Sequence, residues 1–92
     1  MHIKTPELLK KIDIPRQKLY YLEQKGYIKP QKIIIGEKSF REYSDEDIKK
    51  IECLWKYLKK GFKYRVAYEK ALEELSGSQT NLVKNLPGTT DA

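Results

Sequence analysis

Residues 14–44 read IPRQKLYYLEQKGYIKPQKIIIGEKSFREYS, and the reading of this stretch decides the fold. Pro15 suits a helix start, where its missing N–H costs nothing, and Gly26 suits a helix end. Leu19 and Leu22 give that helix an apolar side, which the stem of Lys25 is expected to extend. Arg16, Gln17, Lys18, Tyr20 and Tyr21 fall on or near the opposite side. Tyr27 and Ile28 are expected to plug the core, and Lys29-Pro30 redirects the chain. Ile33, Ile34 and Ile35 are β-branched and favour a strand. Gly36-Glu37 fits a two-residue hairpin turn with glycine first, and residues 39–43 return. Ser44 ahead of Asp45, Glu46 and Asp47 is a helix cap with acids in the first turn.

Upstream, Thr5-Pro6-Glu7 marks another helix start, with Thr5 expected as the cap. Leu8, Leu9 and Ile12 form its apolar side, and Asp13-Ile14-Pro15 interrupts it. Two short helices joined by a tight turn make a helix-turn-helix. Downstream, Ile48, Ile51, Leu54, Trp55 and Leu58 recur at helical spacing until Gly61. Phe62 bridges to a fourth helix over residues 63–75, whose apolar side uses Ala67, Ala71, Leu75 and either Val66 or Leu72. Tyr27, Tyr43, Trp55 and Phe62 take core-like positions, which argues against an aromatic platform for single strands. The expected fold is mainly α, with about four helices and a small β-hairpin between the second and third. Two strands alone are marginal, so the hairpin must lean on a helix. Residues 1–75 form one domain. From Ser76 onward the composition turns to Ser, Gly, Thr, Asn and Pro, and residues 76–92 are expected to be a flexible tail or the start of a linker.

Ninety-two residues allow a single domain. The net charge of +6 suits a polyanionic partner, nucleic acid or an acidic membrane surface. Its distribution favours nucleic acid. Residues 1–43 hold ten Lys/Arg against five Asp/Glu, whereas residues 44–75 hold eight against seven. The excess thus coincides with the helix and hairpin. A single cysteine, Cys53, permits no intrachain disulfide, and with His2 alone no zinc set. Cys53 lies in an apolar helical pattern and is expected to be buried filler. No apolar run approaches the ~18 residues of a membrane span, and no signal-peptide pattern opens the chain. The expectation is a cytoplasmic, nucleoid-associated protein. Phosphate-binding Gly loops, nucleophile elbows and His-Glu-x-x-His motifs are absent from the sequence, so neither an enzyme nor a cofactor is expected.

Three groups of residues are candidates for contact with DNA. Arg16, Gln17 and Lys18 open the second helix, where side chains meet base edges; Gln pairs with an adenine edge and Arg or Lys with a guanine edge. Neighbouring Tyr20 and Tyr21 lie ~100° apart on the helix, so at least one hydroxyl is expected to be exposed and within reach of phosphate. Lys32, Lys38 and Arg41 give the hairpin a cationic rim, with Phe40 and Tyr43 anchoring Arg41. Lys on an edge strand also deters aggregation, an equally simple account of Lys32 and Lys38. The corner KKGFKYR, residues 59–65, gathers Lys59, Lys60, Lys63, Tyr64 and Arg65, a compact place for phosphates.

The run from about Lys4 to Leu75 resembles the DNA-binding domain of MerR-family transcription regulators. LYYLEQKGYIKP, FREYSDEDI and LKKGF are similar to that family's Leu-Arg-Tyr-Tyr-Glu-x-x-Gly-Leu-[Leu/Ile]-x-Pro, Tyr-Arg-x-Tyr-Ser-x-x-Asp-[Leu/Ile] and Leu-x-x-x-Gly-Phe, in the same order. The resemblance implies a winged helix-turn-helix: the second helix in the major groove, the hairpin as a first wing, and the corner between helices three and four as a second. It places Tyr21 at a phosphate-contacting tyrosine, Arg41 at the wing arginine, and residues 63–65 on the second wing. The departures are Tyr20 where the family has Arg, Leu22 where it has Tyr, Gln17 at a frequent Arg, and a hairpin about two residues longer. Family members continue into a long dimerising helix and an effector module, whereas this pattern breaks at Ser76-Gly77. It therefore reads as an excised DNA-binding domain or a small free-standing member. A homodimer or effector module would come from sequence beyond residue 92. The implied function is sequence-specific binding of double-stranded DNA in transcriptional regulation. The rival expectation is a protein-docking or chromosome-architectural module, with Ile33, Ile34 and Ile35 as an apolar strip.

Overall fold

Four helices and a three-stranded antiparallel sheet make up the computed structural model, which describes residues 2–77. The chain runs β1 (His2–Lys4), α1 (Thr5–Lys11), α2 (Arg16–Gln24), β2 (Gln31–Ile35), β3 (Lys38–Ser44), α3 (Asp45–Lys59) and α4 (Tyr64–Gly77). The four helices expected, with a hairpin between the second and third, are present; β1 adds a third strand that was not expected and makes the fold mixed. β1 pairs antiparallel with β3, setting His2 opposite Ser44, Ile3 opposite Tyr43 and Lys4 opposite Glu42. Three residues are too short to show an alternating pattern, so the sequence carries no visible sign of the strand. Its effect is to make β3 the central strand and to give the hairpin the third strand it needs.

The helix ends follow the chain's punctuation. At both Gly26 (φ 82°) and Gly61 (φ 101°) the backbone turns left-handed, the conformation that glycine adopts without penalty. After α2, the Tyr27 N–H donates to the Leu22 carbonyl at 2.9 Å and the Gly26 N–H to that of Glu23 at 3.0 Å. After α3, Phe62 and Gly61 repeat the pattern onto Tyr57 and Leu58 at 3.2 and 3.0 Å. Both are Schellman ends, which satisfy carbonyls the helix leaves open. α3 starts on a capping box: Ser44 Oγ accepts from the Asp47 N–H at 3.1 Å, and Asp47 Oδ2 accepts from the Ser44 N–H at 2.9 Å.

One core joins every element except β2, which packs on β3 alone. Ile3, Leu8, Ile12, Ile14, Leu19, Leu22, Ile28, Tyr43, Ile51, Leu54, Ala67 and Ala71 are buried in it, and Cys53 lies at its border. Tyr27 packs on Tyr68 with ring centroids 4.9 Å apart.

Five expectations are corrected. Thr5 lies inside α1, with Lys4 at the cap position; the Thr5 hydroxyl instead pairs with the Tyr43 hydroxyl at 3.3 Å. Lys25 is exposed and reaches over the Tyr21 ring at 5.6 Å, because the helix end turns its stem outward. Neither Val66 nor Leu72 joins the core; both are exposed, and Tyr64 and Tyr68 fill the space between α4 and the rest. Phe62 is exposed at the corner and packs edge-on against Tyr57, with centroids 5.9 Å apart. That contact belongs to the Schellman end rather than to the core. Finally, α4 passes through Ser76 to Gly77, where the tail was expected to begin. Ser76 Oγ donates back to the Leu72 carbonyl at 2.7 Å, which keeps the serine compatible with a helix. The rest of the expected tail, residues 78–92, lies outside the described residues.

Candidate nucleic-acid interface

α2 presents the side chains of Arg16, Gln17 and Lys18, all exposed. The helix can expose them because Leu19 and Leu22 bury its other face completely. Tyr20 and Tyr21 point to different flanks and are each partly exposed, at 39% and 37%. The two flanks meet different parts of the fold, and that divergence organises the surface.

On the first flank, Arg16 Nη1 donates to the Tyr20 hydroxyl at 3.0 Å. The guanidinium of Arg41, from β3, lies 5.6 Å from the Tyr20 ring centroid, within cation–π range. Arg41 also donates from Nε to Glu23 Oε1 at 2.6 Å. Hydrogen bonding to Glu23 strengthens the hold of Arg41 on its proton. Both side chains of the pair are about one-third exposed, so solvent screens them only in part. The pair ties the hairpin to α2. Lys32 and Lys38 project from that hairpin, exposed, with no acidic partner among the described residues.

On the second flank, the Tyr21 ring packs on Tyr64 at the start of α4, with centroids 4.5 Å apart. Lys18 Nζ lies 5.9 Å from the Tyr64 centroid. The α3–α4 corner is thereby brought against α2. Within the corner, Lys60 sits over the Tyr57 ring at 5.5 Å, and Lys63 is exposed. Arg65 is 3.6 Å from Glu69 one turn on, with both side chains well exposed. Lys59 is paired with Asp13, 3.6 Å away. Asp13 also accepts from Trp55 Nε1 at 2.6 Å, and that bond, aided by Lys59, keeps its carboxyl below the usual carboxylate range.

Eleven of the twelve candidates are exposed or partly exposed: Arg16, Gln17, Lys18, Tyr20 and Tyr21 on α2, Tyr64 against Tyr21, Lys32 and Lys38 on the hairpin, and Lys60, Lys63 and Arg65 at the corner. The twelfth, Arg41, is present on the same side but engaged by Glu23. Sequence reasoning gave Glu23 no role. The pair spans 18 residues of sequence, and no local spacing announces it.

A second polar cluster lies between α3 and α4. Lys56 Nζ donates to both oxygens of Glu74 at 2.7 and 2.9 Å, Tyr57 donates its hydroxyl at 2.7 Å, and Cys53 Sγ donates at 3.4 Å. These donors hold the Glu74 carboxyl down at about 2. Burial, with Glu74 beside it, pushes the Cys53 thiol up, which disfavours the thiolate. A surface hollow of about 510 Å³ lies between α3 and α4, lined by Ser44, Glu46, Asp47, Lys49, Leu72 and Leu75 among others. Among the described residues no cluster of His, Cys, Asp or Glu could hold a metal ion, and no helix is long and apolar enough to cross a membrane.

Comparison of the chain with family models, with curated proteins and with solved structures returned no match.

Proposed function

We propose that this chain is a winged-helix domain that binds double-stranded DNA and serves in transcriptional regulation. In this reading α1 and α2 are the helix-turn-helix, and α2 enters the major groove with Arg16, Gln17 and Lys18 at its leading end. The hairpin of β2 and β3 is one wing, carrying Lys32 and Lys38 to the phosphates. The α3–α4 corner is the other, carrying Lys60, Lys63, Tyr64 and Arg65.

The observation that carries the reading is the bracing of α2 on both sides. Glu23–Arg41 fixes the hairpin to one flank, and Tyr21–Tyr64 fixes the corner to the other. The hairpin and the corner, remote from each other in sequence, are thus each held against α2, whose start is exposed. A solvated surface needs no such bracing.

The test is an anisotropy titration of mixed-sequence duplex over a range of salt. Neutralising about four to six phosphates gives a log–log salt slope near −4 to −5. Binding that ignores salt would sink the reading. Selection from a random duplex pool then separates a sequence-specific regulator from a general DNA binder, since each good base contact discriminates by about 1–3 kcal/mol.

A second reading, a protein-docking or architectural module, is favoured by Ile34 and Ile35, which are 72% and 64% exposed on the hairpin. Lack of duplex binding together with retained folding would favour it.

A further inference from the structure

The charge at the start of α2 has the wrong sign for helix stability. A helix N-terminus carries partial positive charge and favours acids. α2 has no acid in its first turn and opens on Arg16, with Lys18 close behind. Arg16 is exposed, and no ion pair among the described residues includes it. It is nonetheless held, because Nη1 donates to the Tyr20 hydroxyl one turn further along. Its Cζ lies 6.0 Å from the Tyr20 ring centroid, at the outer limit of cation–π range, so the hydrogen bond is the stronger tie.

Tyr20 is itself tied down. Its ring lies 5.6 Å from the Arg41 guanidinium, and Arg41 is fixed by Glu23. The two arginines at Tyr20 therefore differ in kind. Arg41 is paired with a carboxylate, which offsets its charge. Arg16 is paired with a neutral hydroxyl, which orients a guanidinium and leaves its charge whole. The bond to Tyr20 uses one guanidinium N–H. The remaining donors still include a pair for the O6 and N7 of a guanine edge. An arginine already held in one orientation loses less side-chain freedom on docking than a loose one.

We propose that Tyr20 is a positioning residue, which fixes the Arg16 guanidinium for reading one guanine in the major groove. The proposal rests on the DNA reading above and sharpens it: the preferred duplex contains a guanine whose recognition depends on the Tyr20 hydroxyl. Tyr20 thus acts through Arg16 rather than through a phosphate. The ties run from Glu23 through Arg41 and the Tyr20 ring to Arg16, so one chain of contacts joins β3 of the hairpin to the leading end of α2.

The experiment uses the full chain. Selection from a random duplex pool gives the preferred sequence, and anisotropy compares it with duplexes in which each guanine in turn is replaced by adenine. For the wild type, one such replacement is expected to cost about ten- to hundred-fold in affinity. Arg16→Ala is expected to abolish that ratio. Tyr20→Phe keeps the ring and removes only the hydroxyl oxygen. It is expected to shrink the ratio about three- to ten-fold, and adding it to Arg16→Ala is expected to change the ratio no further. A second readout needs no duplex. In nuclear relaxation measurements on the free chain, the Arg16 Nε–H is expected to be more ordered than that of Arg65, whose side chain is 83% exposed. In Tyr20→Phe it is expected to fall to the Arg65 level. A wild-type chain that binds no duplex would sink the DNA reading and this proposal together. Binding in which no guanine depends on Arg16, equal loss for both duplexes in Tyr20→Phe, or a further loss of the ratio in the double variant would overturn this proposal alone. So would a wild-type Arg16 no more ordered than Arg65, a result that needs no variant to fold.

Discussion

Arg41 shows how one contact alters the meaning of a residue. As a lone cation on the hairpin it would add a full charge to the proposed DNA-facing surface. Held by Glu23 at 2.6 Å, it adds much less and instead sets the position of the hairpin against α2. Glu23→Gln keeps the shape and removes the opposing charge. It is expected to steepen the salt slope by about one, because one more cation is then available to a phosphate. Arg41→Ala is expected to weaken all duplexes by a similar factor, since it loosens the hairpin and leaves Glu23 unpaired near the phosphates. Anisotropy titrations at several salt concentrations read both effects. An unchanged slope in Glu23→Gln would mean that Arg41 does not face the duplex, and loss confined to one sequence in Arg41→Ala would make it a base reader.

At the scale of elements, the α3–α4 pair depends on the Glu74 clasp, and its pH dependence has a definite sign. The folded carboxyl titrates at about 2, below its ordinary 4.5. Its contribution is therefore complete above the unfolded value, declines as pH falls, and is gone below about 2. Glu74→Gln is expected to melt below the wild-type temperature at pH 7, and the gap is expected to close between pH 4.5 and 2. A gap that persists unchanged into acid would show that charge on Glu74 is not what acts. The elements differed in how visible they were beforehand. α3 was plain from Ser44, its three acids and its apolar period, because a local cap and a 3.6-residue repeat are sequence signals. β1 was invisible, because three residues find their reason only in β3. The corner misled for a related reason: Phe62 looks like core filler, yet Gly61 turns the chain so that the ring closes the helix end on Tyr57.

For the whole molecule, the residues of the candidate surface were legible because exposure and charge are properties of single positions. Their bracing was not, because Glu23–Arg41 and Tyr21–Tyr64 join residues far apart in sequence. The same long-range dependence governs stability. Ile3 is 2% exposed and belongs to the one core that also holds Leu54 and Ala71. A domain with a single small core has only about 5–15 kcal/mol in total. Ile3→Ala is expected to remove about 2–5 kcal/mol of it, from lost burial and the cavity left behind. The loss should not stay at the N-terminus. Trp55 on α3 is bound to Asp13 in the α1–α2 link, so its fluorescence reports the far side of the same core. In urea, the Trp55 transition and the far-UV circular dichroism transition are expected to shift together to lower midpoint with unchanged slope. If the dichroism shifted while Trp55 kept its wild-type midpoint, β1 would be an appendage to the hairpin rather than part of a single cooperative core.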